Sequence, residues 1–585
     1  MSFGAAVLAA GGVRFRLWAP AARSVELVID GRAKRMQSQP DGWYELVDRE
    51  ARAGTLYQYA IDGKQLVPDP ASRFQPQDVD GPSEVIDPRK YPWKDAGWKS
   101  RPWREAVIYE LHVGTFTPEG TYRAAIEKLR HLAEHGITAI ELMPLADFAG
   151  KRNWGYDGVL PYAPDSAYGR PEELKALIDT AHAAGLMVFL DVVYNHFGPK
   201  GNYLALYAPE FFTERHKTPW GAAINFAHPV VRQYFVHNVL YWLEEYHFDG
   251  LRFDAVHAIH DDSPRHILDE IRAAVPARKH LVLENDANQA RFVGPGKYNA
   301  QWNDDSHHAY HVLATREADG YYVSYADNPA RHLARCLAEG FAYQGELSPF
   351  SREPRGERSS HLPASCFVDF LQNHDQIGNR AFGERIAELA VPEHLALARA
   401  GLLLSPQIPM LYMGEEWAAS APFLFFVDFS DDPELSQAVR DGRQREFANF
   451  RGFAEQHGER DIPDPTAEET FRRSVLDWSE AERSPHAEAR DEVRRLLRLR
   501  QGEVVPLTRS AFCGAAHAVP APRMLDVTWR FAAGTLRFVA NFDEASRAFD
   551  APAGTRVLWS NAGLPQGETM RLRPWTGAVL KSEPK

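Results

Sequence analysis

With 585 residues the chain is too long for one compact core, and roughly two to four domains are expected. Its 44% hydrophobic and 25% charged residues are those of an ordinary globular protein. The 66 Lys and Arg against 79 Asp and Glu leave a net charge of −13, which disfavours nucleic acid or an anionic membrane surface as a partner. A neutral substrate is indifferent to that charge.

Cys336, Cys366 and Cys513 are too few and too scattered for a disulfide framework or a metal-ligand cluster. No metal and no cofactor is therefore expected, and a reducing compartment is. The apolar run Ala5 to Ala10 lacks the basic start and the length of a signal peptide, and no apolar run reaches transmembrane length. A soluble, cytoplasmic protein follows as the expectation.

Residues 1–95 read as a small β-sandwich. Val13–Trp18 alternates strictly, while Val25–Ile29 and Tyr57–Ile61 run into the hairpin signals Asp30-Gly31 and Asp62-Gly63. Six prolines from Pro68 to Pro92 punctuate a joining segment.

Residues 96–502 change to alternating strands and helices. Ala106–His112 is the first strand. Tyr122–His135 is a helix with Ile126, Leu129 and Leu132 on one face and Gly136 as its stop. Ile137–Met143 is the second strand, and Pro171–Ala184 a helix with proline at its first position. Leu186–Val193 is the third strand, nearly all apolar, as a strand buried on both faces should be. The helix Pro229–Tyr246 leads to the fourth strand, which lies in Phe248–His257. Leu281–Glu284 is the fifth, Tyr298–Asn303 holds the sixth, Cys366–Leu371 is the seventh and Ile408–Met413 the eighth. This count predicts an α/β fold built on a (β/α)8 barrel, with an insertion in 310–365. After the helix Ala487–Arg500, short strands return, and 503–585 reads as a C-terminal β-sandwich.

In such a barrel, chemistry sits where the strands end. The third strand ends Asp191-Val-Val-Tyr-Asn195-His196, the fourth Arg252-Phe-Asp254, the fifth Glu284-Asn-Asp286 and the seventh Gln372-Asn-His374-Asp375. Alone, Arg252 and Asp254 read as a structural ion pair at a strand end. With carboxylates converging from several strands on one mouth, they suit glycoside hydrolysis, which needs one carboxyl as acid and another as nucleophile. Asp254 and Glu284, on neighbouring strands, fit that pair, and Arg252 keeps Asp254 ionised.

The segments Asp191–His196, Gly250–His257, Leu283–Asp286 and Leu371–Asp375 resemble those of the alpha-amylase family of glycoside hydrolases. The resemblance covers nearly the whole chain, including a carbohydrate-binding, immunoglobulin-like sandwich in front and a β domain behind. It implies Asp254 as nucleophile, Glu284 as general acid/base and Asp375 as the third carboxylate, which grips sugar hydroxyls. Arg252 would position Asp254, His196 and His374 would hydrogen-bond the sugar before the scissile bond, and Tyr156 would stack beneath it. His257 stands where many amylases have lysine. The segment Phe197 to His228 shows no cluster of Asp and Asn oxygen ligands, so the calcium site of typical amylases is not expected.

The longer runs Leu190–Pro199, Thr218–Gly221, Asp254–Ile259, Trp302–His308 and Gln372–Arg380 narrow the resemblance. Within the family they are similar to hydrolases that cleave the α-1,4 bond next to the terminal trehalose of maltooligosyl trehalose, releasing trehalose. They resemble branching enzymes more loosely, so glucan transfer is the alternative. An enzyme that makes the terminal trehalose linkage is implied as pathway partner. Asp304, Asp305 and Trp220 are candidates for the trehalose-binding side, unless the two aspartates cap a helix.

Overall fold

The computed structural model describes residues 3–218, 221–448, 461–551, 554–562 and 569–584. Eight parallel strands close into a barrel: β1 (Ile108–Leu111), β2 (Ala139–Leu142), β3 (Met187–Val192), β4 (Gly250–Phe253), β5 (His280–Leu283), β6 (Ala300–Trp302), β7 (Phe367–Phe370) and β8 (Ile408–Tyr412). Pairing of Ile108 with Met410 seals the ring. Each expected strand is present: β4 is the middle of its expected stretch, β5 is set one residue earlier, and the others are trimmed by a residue or two at one or both ends.

The helices follow the local signals. α1 (Tyr122–His135) starts where the Thr121 hydroxyl accepts the Ala124 N–H, and stops at Gly136 with φ 99°. α2 (Pro171–Ala183) opens on proline, and α3 (Pro229–Glu245) does the same before leading into β4. α4 (Ile267–Ala274) joins β4 to β5. α5 (Asp304–Thr315) leaves β6, and α6 (Pro329–Glu339) supplies the insertion expected in 310–365. α7 (His374–Gly378) is one short turn off β7, α8 (Pro392–Leu404) returns to β8, and α9 (His486–Leu499) closes the barrel sequence.

Period-2 alternation divides each strand between the barrel interior and the helical layer. The lower interior is apolar, filled by Ile108, Ala139, Met187, Phe189, Val282, Ala300, Val368, Phe370, Ile408 and Met410. The same register, two residues further on, puts Glu110 opposite Glu141 and Asp191 opposite Arg252. The polar layer is thus stacked on a dry floor. Gly250 is fixed by this crowding, since a Cβ there would stand 2.2 Å from the His280 carbonyl oxygen and 2.7 Å from the Phe189 ring.

The N-terminal strands form two antiparallel sheets, and every aromatic ring between residues 3 and 88 is buried. Several of those rings pack on the barrel: Phe3 lies edge-on to Tyr234 of α3, and Trp18 packs on Phe211 and His228. The C-terminal strands form a five-stranded antiparallel sheet with a two-stranded partner. Its Trp529 indole donates to the Leu337 carbonyl of α6 at 2.7 Å.

Candidate active site

Arg252 is the centre of the site. It is fully buried at the end of β4, its guanidinium lying 4.1 Å from the centroid of Trp302. One nitrogen donates to Asp191 at 2.6 Å and to Asp254 at 2.9 Å, and the other donates to Glu284 at 2.5 Å. Strand order alone paired Arg252 with Asp254; the folded chain shares it among carboxylates from β3, β4 and β5. Asn195, after β3, donates to the other Asp254 oxygen at 2.7 Å. Ala255 follows in a left-handed conformation, φ 40°, which aims its N–H at Glu284 at 3.1 Å. A non-glycine residue held there stores strain of the kind that collects at functional sites.

The second cluster comes from β7 and β1. Asn373 caps α7 by accepting the N–H groups of Asp375 and Gln376, which presents Asp375 at the mouth with 40% of its side chain exposed. His374 is buried, with Nδ1 on Glu110 at 2.5 Å and Nε2 on Asp375 at 3.5 Å. Burial opposes its charge, but Glu110 and Asp375 outweigh it and raise its pKa to about 9. Tyr156 stacks on this imidazolium at 5.0 Å and donates its hydroxyl to Asp191 at 2.7 Å. His196 stands between the Asn195 side chain and the Tyr156 carbonyl. Burial pushes it down to about 4, so the neutral ring can donate to only one of the two oxygens it faces.

A third group lines the rim beyond Glu284. His257 is exposed, its Nδ1 accepting the Asp286 N–H at 3.3 Å. Arg355, on the insertion, donates to the Asp286 carbonyl at 2.8 Å and to its carboxylate at 2.9 Å. The two candidate aspartates part company here. Both lie in the first turn of α5, where anionic charge suits the helix dipole, but neighbouring helix positions point about 100° apart. Asp304 faces Glu284 and Asp286, takes a long 3.4 Å contact from Gln376, and is pushed well above the usual carboxylate range by burial and those two charges. Asp305 turns inward, fully closed off, and accepts from Arg355, the Tyr325 hydroxyl, the Asn288 amide and the Ala342 and Tyr343 N–H groups. It does not face the mouth as expected; it ties the insertion to the barrel. Neither aspartate is the N-cap, which is Asn303. Trp220 lies outside the described residues.

Sequence reasoning missed Asn195, Trp302 and Arg355 as parts of this constellation, although the first two stood inside quoted runs. Among the described residues, no group of three or more His, Cys, Asp or Glu side chains is placed to hold a metal ion. No helix among them is long and apolar enough to cross a membrane.

Residues 72–209 match the alpha amylase catalytic domain, 2–88 carbohydrate-binding module 48 (isoamylase N-terminal domain), and 514–579 a domain of unknown function. A malto-oligosyltrehalose trehalohydrolase of Deinococcus radiodurans is 47% identical over 500 residues, 84% of this chain and 82% of that one. A 1,4-alpha-glucan branching enzyme of Bacillus caldolyticus is 37% identical over only 286 residues, 43% of each chain. A Salmonella typhimurium structure described as an alpha amylase superposes with a TM-score of 0.94 at 47% identity, covering all of both chains. With the carboxylate cluster at the strand ends and this likeness along most of its length, the chain belongs to the malto-oligosyltrehalose trehalohydrolases, within the alpha-amylase family of glycoside hydrolases.

Proposed function

We propose that the chain hydrolyses the α-1,4 bond next to the terminal trehalose of a maltooligosyl trehalose, by a retaining double displacement. The observation that carries the mechanism is the grip of one guanidinium on both Asp254 and Glu284. Two carboxyls on adjacent nitrogens favour the close retaining spacing, about 5–5.5 Å, over the wider inverting one. An Asp254 oxygen attacks the anomeric carbon while Glu284 gives its proton to the departing glycosidic oxygen, and trehalose leaves. Water then attacks the glycosyl ester, and Glu284 takes its proton back. To reach the glycosidic oxygen, Glu284 must exchange its Arg252 contact for the substrate.

In this reading Asp375 grips hydroxyls of the sugar before the scissile bond, His374 and His196 hydrogen-bond it, and Tyr156 lies beneath it. Trehalose occupies the rim of His257, Asp286 and Asp304. Asp305 leaves the list of sugar contacts. The three regions 1–95, 96–502 and 503–585 act as front sandwich, catalytic barrel and rear β domain. Three free cysteines, two of them buried, support a cytoplasmic setting.

Incubation with maltotriosyl trehalose and, separately, with amylose tests the reaction. Free trehalose from the first is expected; new α-1,6 branches in amylose without trehalose would refute it. Asp254→Asn should lower turnover by several orders of magnitude with an unchanged melting temperature, as for other covalent catalysts.

A further inference from the structure

Glu141 has no part in the reaction above, yet it stands in the same layer of the barrel. The β1–β2 register sets it opposite Glu110, and the β2–β3 register sets it opposite Phe189, with Asp191 two residues further along β3 on the same inward face. It is 1% exposed, and neither carboxyl oxygen has a hydrogen-bond partner among the described residues. An anion in that position would be an unpaired charge removed from water. A neutral carboxyl has instead one O–H to place.

The groups facing Glu141 decide where it goes. They are Glu110 on β1, Asp191 on β3, Arg252 on β4 and His374 on α7. Both oxygens of Glu110 are taken, by the His374 ring and by its N–H. One Asp191 oxygen accepts from Tyr156 and Arg252, while its Oδ1 is buried without a partner. An unplaced donor and an unfilled acceptor thus face the barrel interior from adjacent strands, two residues apart in register.

We propose that Glu141 is a positioning residue of the active site, donating a carboxyl O–H to Asp191 Oδ1. Asp191 then holds both the Tyr156 hydroxyl and Arg252, and Arg252 orients Asp254 and Glu284. Burial, with Asp191 and Glu110 adding to it, pushes the Glu141 carboxyl well above the usual range, in keeping with a proton resident there. The inference rests on Asp254 as the nucleophile.

Glu141→Leu removes the donor; kcat is expected to fall about ten-fold or more, with KM changed less than about three-fold. Glu141→Gln should restore most of that loss, because its amide N–H reaches the same oxygen. Infrared difference spectra at neutral pH, wild type minus Glu141→Gln, should show the loss of one protonated-carboxyl component in the variant. A Gln variant as damaged as the Leu variant, a Leu variant with wild-type kcat, or an unchanged infrared band would overturn the proposal. Should Glu141→Leu not fold, the Gln variant and the spectra still decide. Failure of the nucleophile assignment shows separately, as near-normal turnover in Asp254→Asn, and leaves the infrared comparison standing.

Discussion

Replacing Arg252 with lysine tests the centre of the site most directly. The guanidinium makes three charge-assisted contacts, to Asp191, Asp254 and Glu284, from two nitrogens of a planar fork. Lysine keeps the charge but is a compact ammonium on a flexible stem, without the fork that spans these partners. At least one contact is lost, and a hydrogen bond to a charged group contributes about 1.5–3 kcal/mol. At about 1.36 kcal/mol per decade of rate, kcat/KM should fall about 10- to 150-fold. Removing the charge altogether, in Arg252→Met, leaves three carboxylates without their cation. Breaking a single buried pair costs about 3–5 kcal/mol, so this variant should lose cooperative unfolding altogether. The assay is trehalose release from maltotriosyl trehalose, beside thermal denaturation by circular dichroism. An Arg252→Lys enzyme within about two-fold of wild-type kcat/KM, with an unchanged melting temperature, would show that the fork is not what orders the carboxylates.

Stability should fall as pH rises from weakly acid to alkaline. Burial raises Asp165 from 3.8 to about 8 and Asp147 well above its usual value, so the folded chain holds protons there that the unfolded chain releases. That contribution is complete below the unfolded value and is lost as pH climbs through the folded one. His374, raised from 6.5 to about 9, acts in the same direction: its contribution is complete below 6.5 and is lost through 9. Melting temperatures that rise from weakly acid to alkaline pH would contradict this, and Asp165→Asn should flatten the dependence. Gly250→Ala should destabilise the barrel by about 1–3 kcal/mol by overpacking the β4–β5 contact, read as a lower denaturation midpoint; an unaltered midpoint would mean the backbone yields freely. Asp305→Ala should raise KM for maltotriosyl trehalose with a smaller effect on kcat, because Arg355 loses its anchor while Asp254 and Glu284 keep theirs.

The barrel was legible because seven of its strands are apolar runs bounded by turn signals. β6 resisted placement for a physical reason. Its flanking and central residues are polar and hydrogen-bonded inside the protein: Asn299 accepts the Leu281 N–H, and Gln301 donates to the Asn285 carbonyl and the Asn288 side chain. Composition cannot distinguish such a strand from a loop. Asp254, Glu284 and Asp375 could be read because strand ends are where barrels place chemistry. The links between them were not legible, since they depend on side-chain direction. Asp304 and Asp305 are neighbours in sequence, yet the α5 helix turns one to the mouth and the other into the insertion. Arg355 reaches Asp286 across 69 residues of chain. No local pattern announces such a contact.

The buried rings of the front sandwich bear on how this enzyme meets its substrate. Sugars are held at a surface by laying their apolar faces on an open aromatic plane, and between residues 3 and 88 no such plane is offered. Phe3 and Trp18 are turned instead to Tyr234 and His228. Through those contacts the module braces the barrel. A chain cut near residue 90 would not be a smaller, untethered enzyme. It would be a barrel with the Tyr234 face of α3 stripped bare, prone to stick to its own copies.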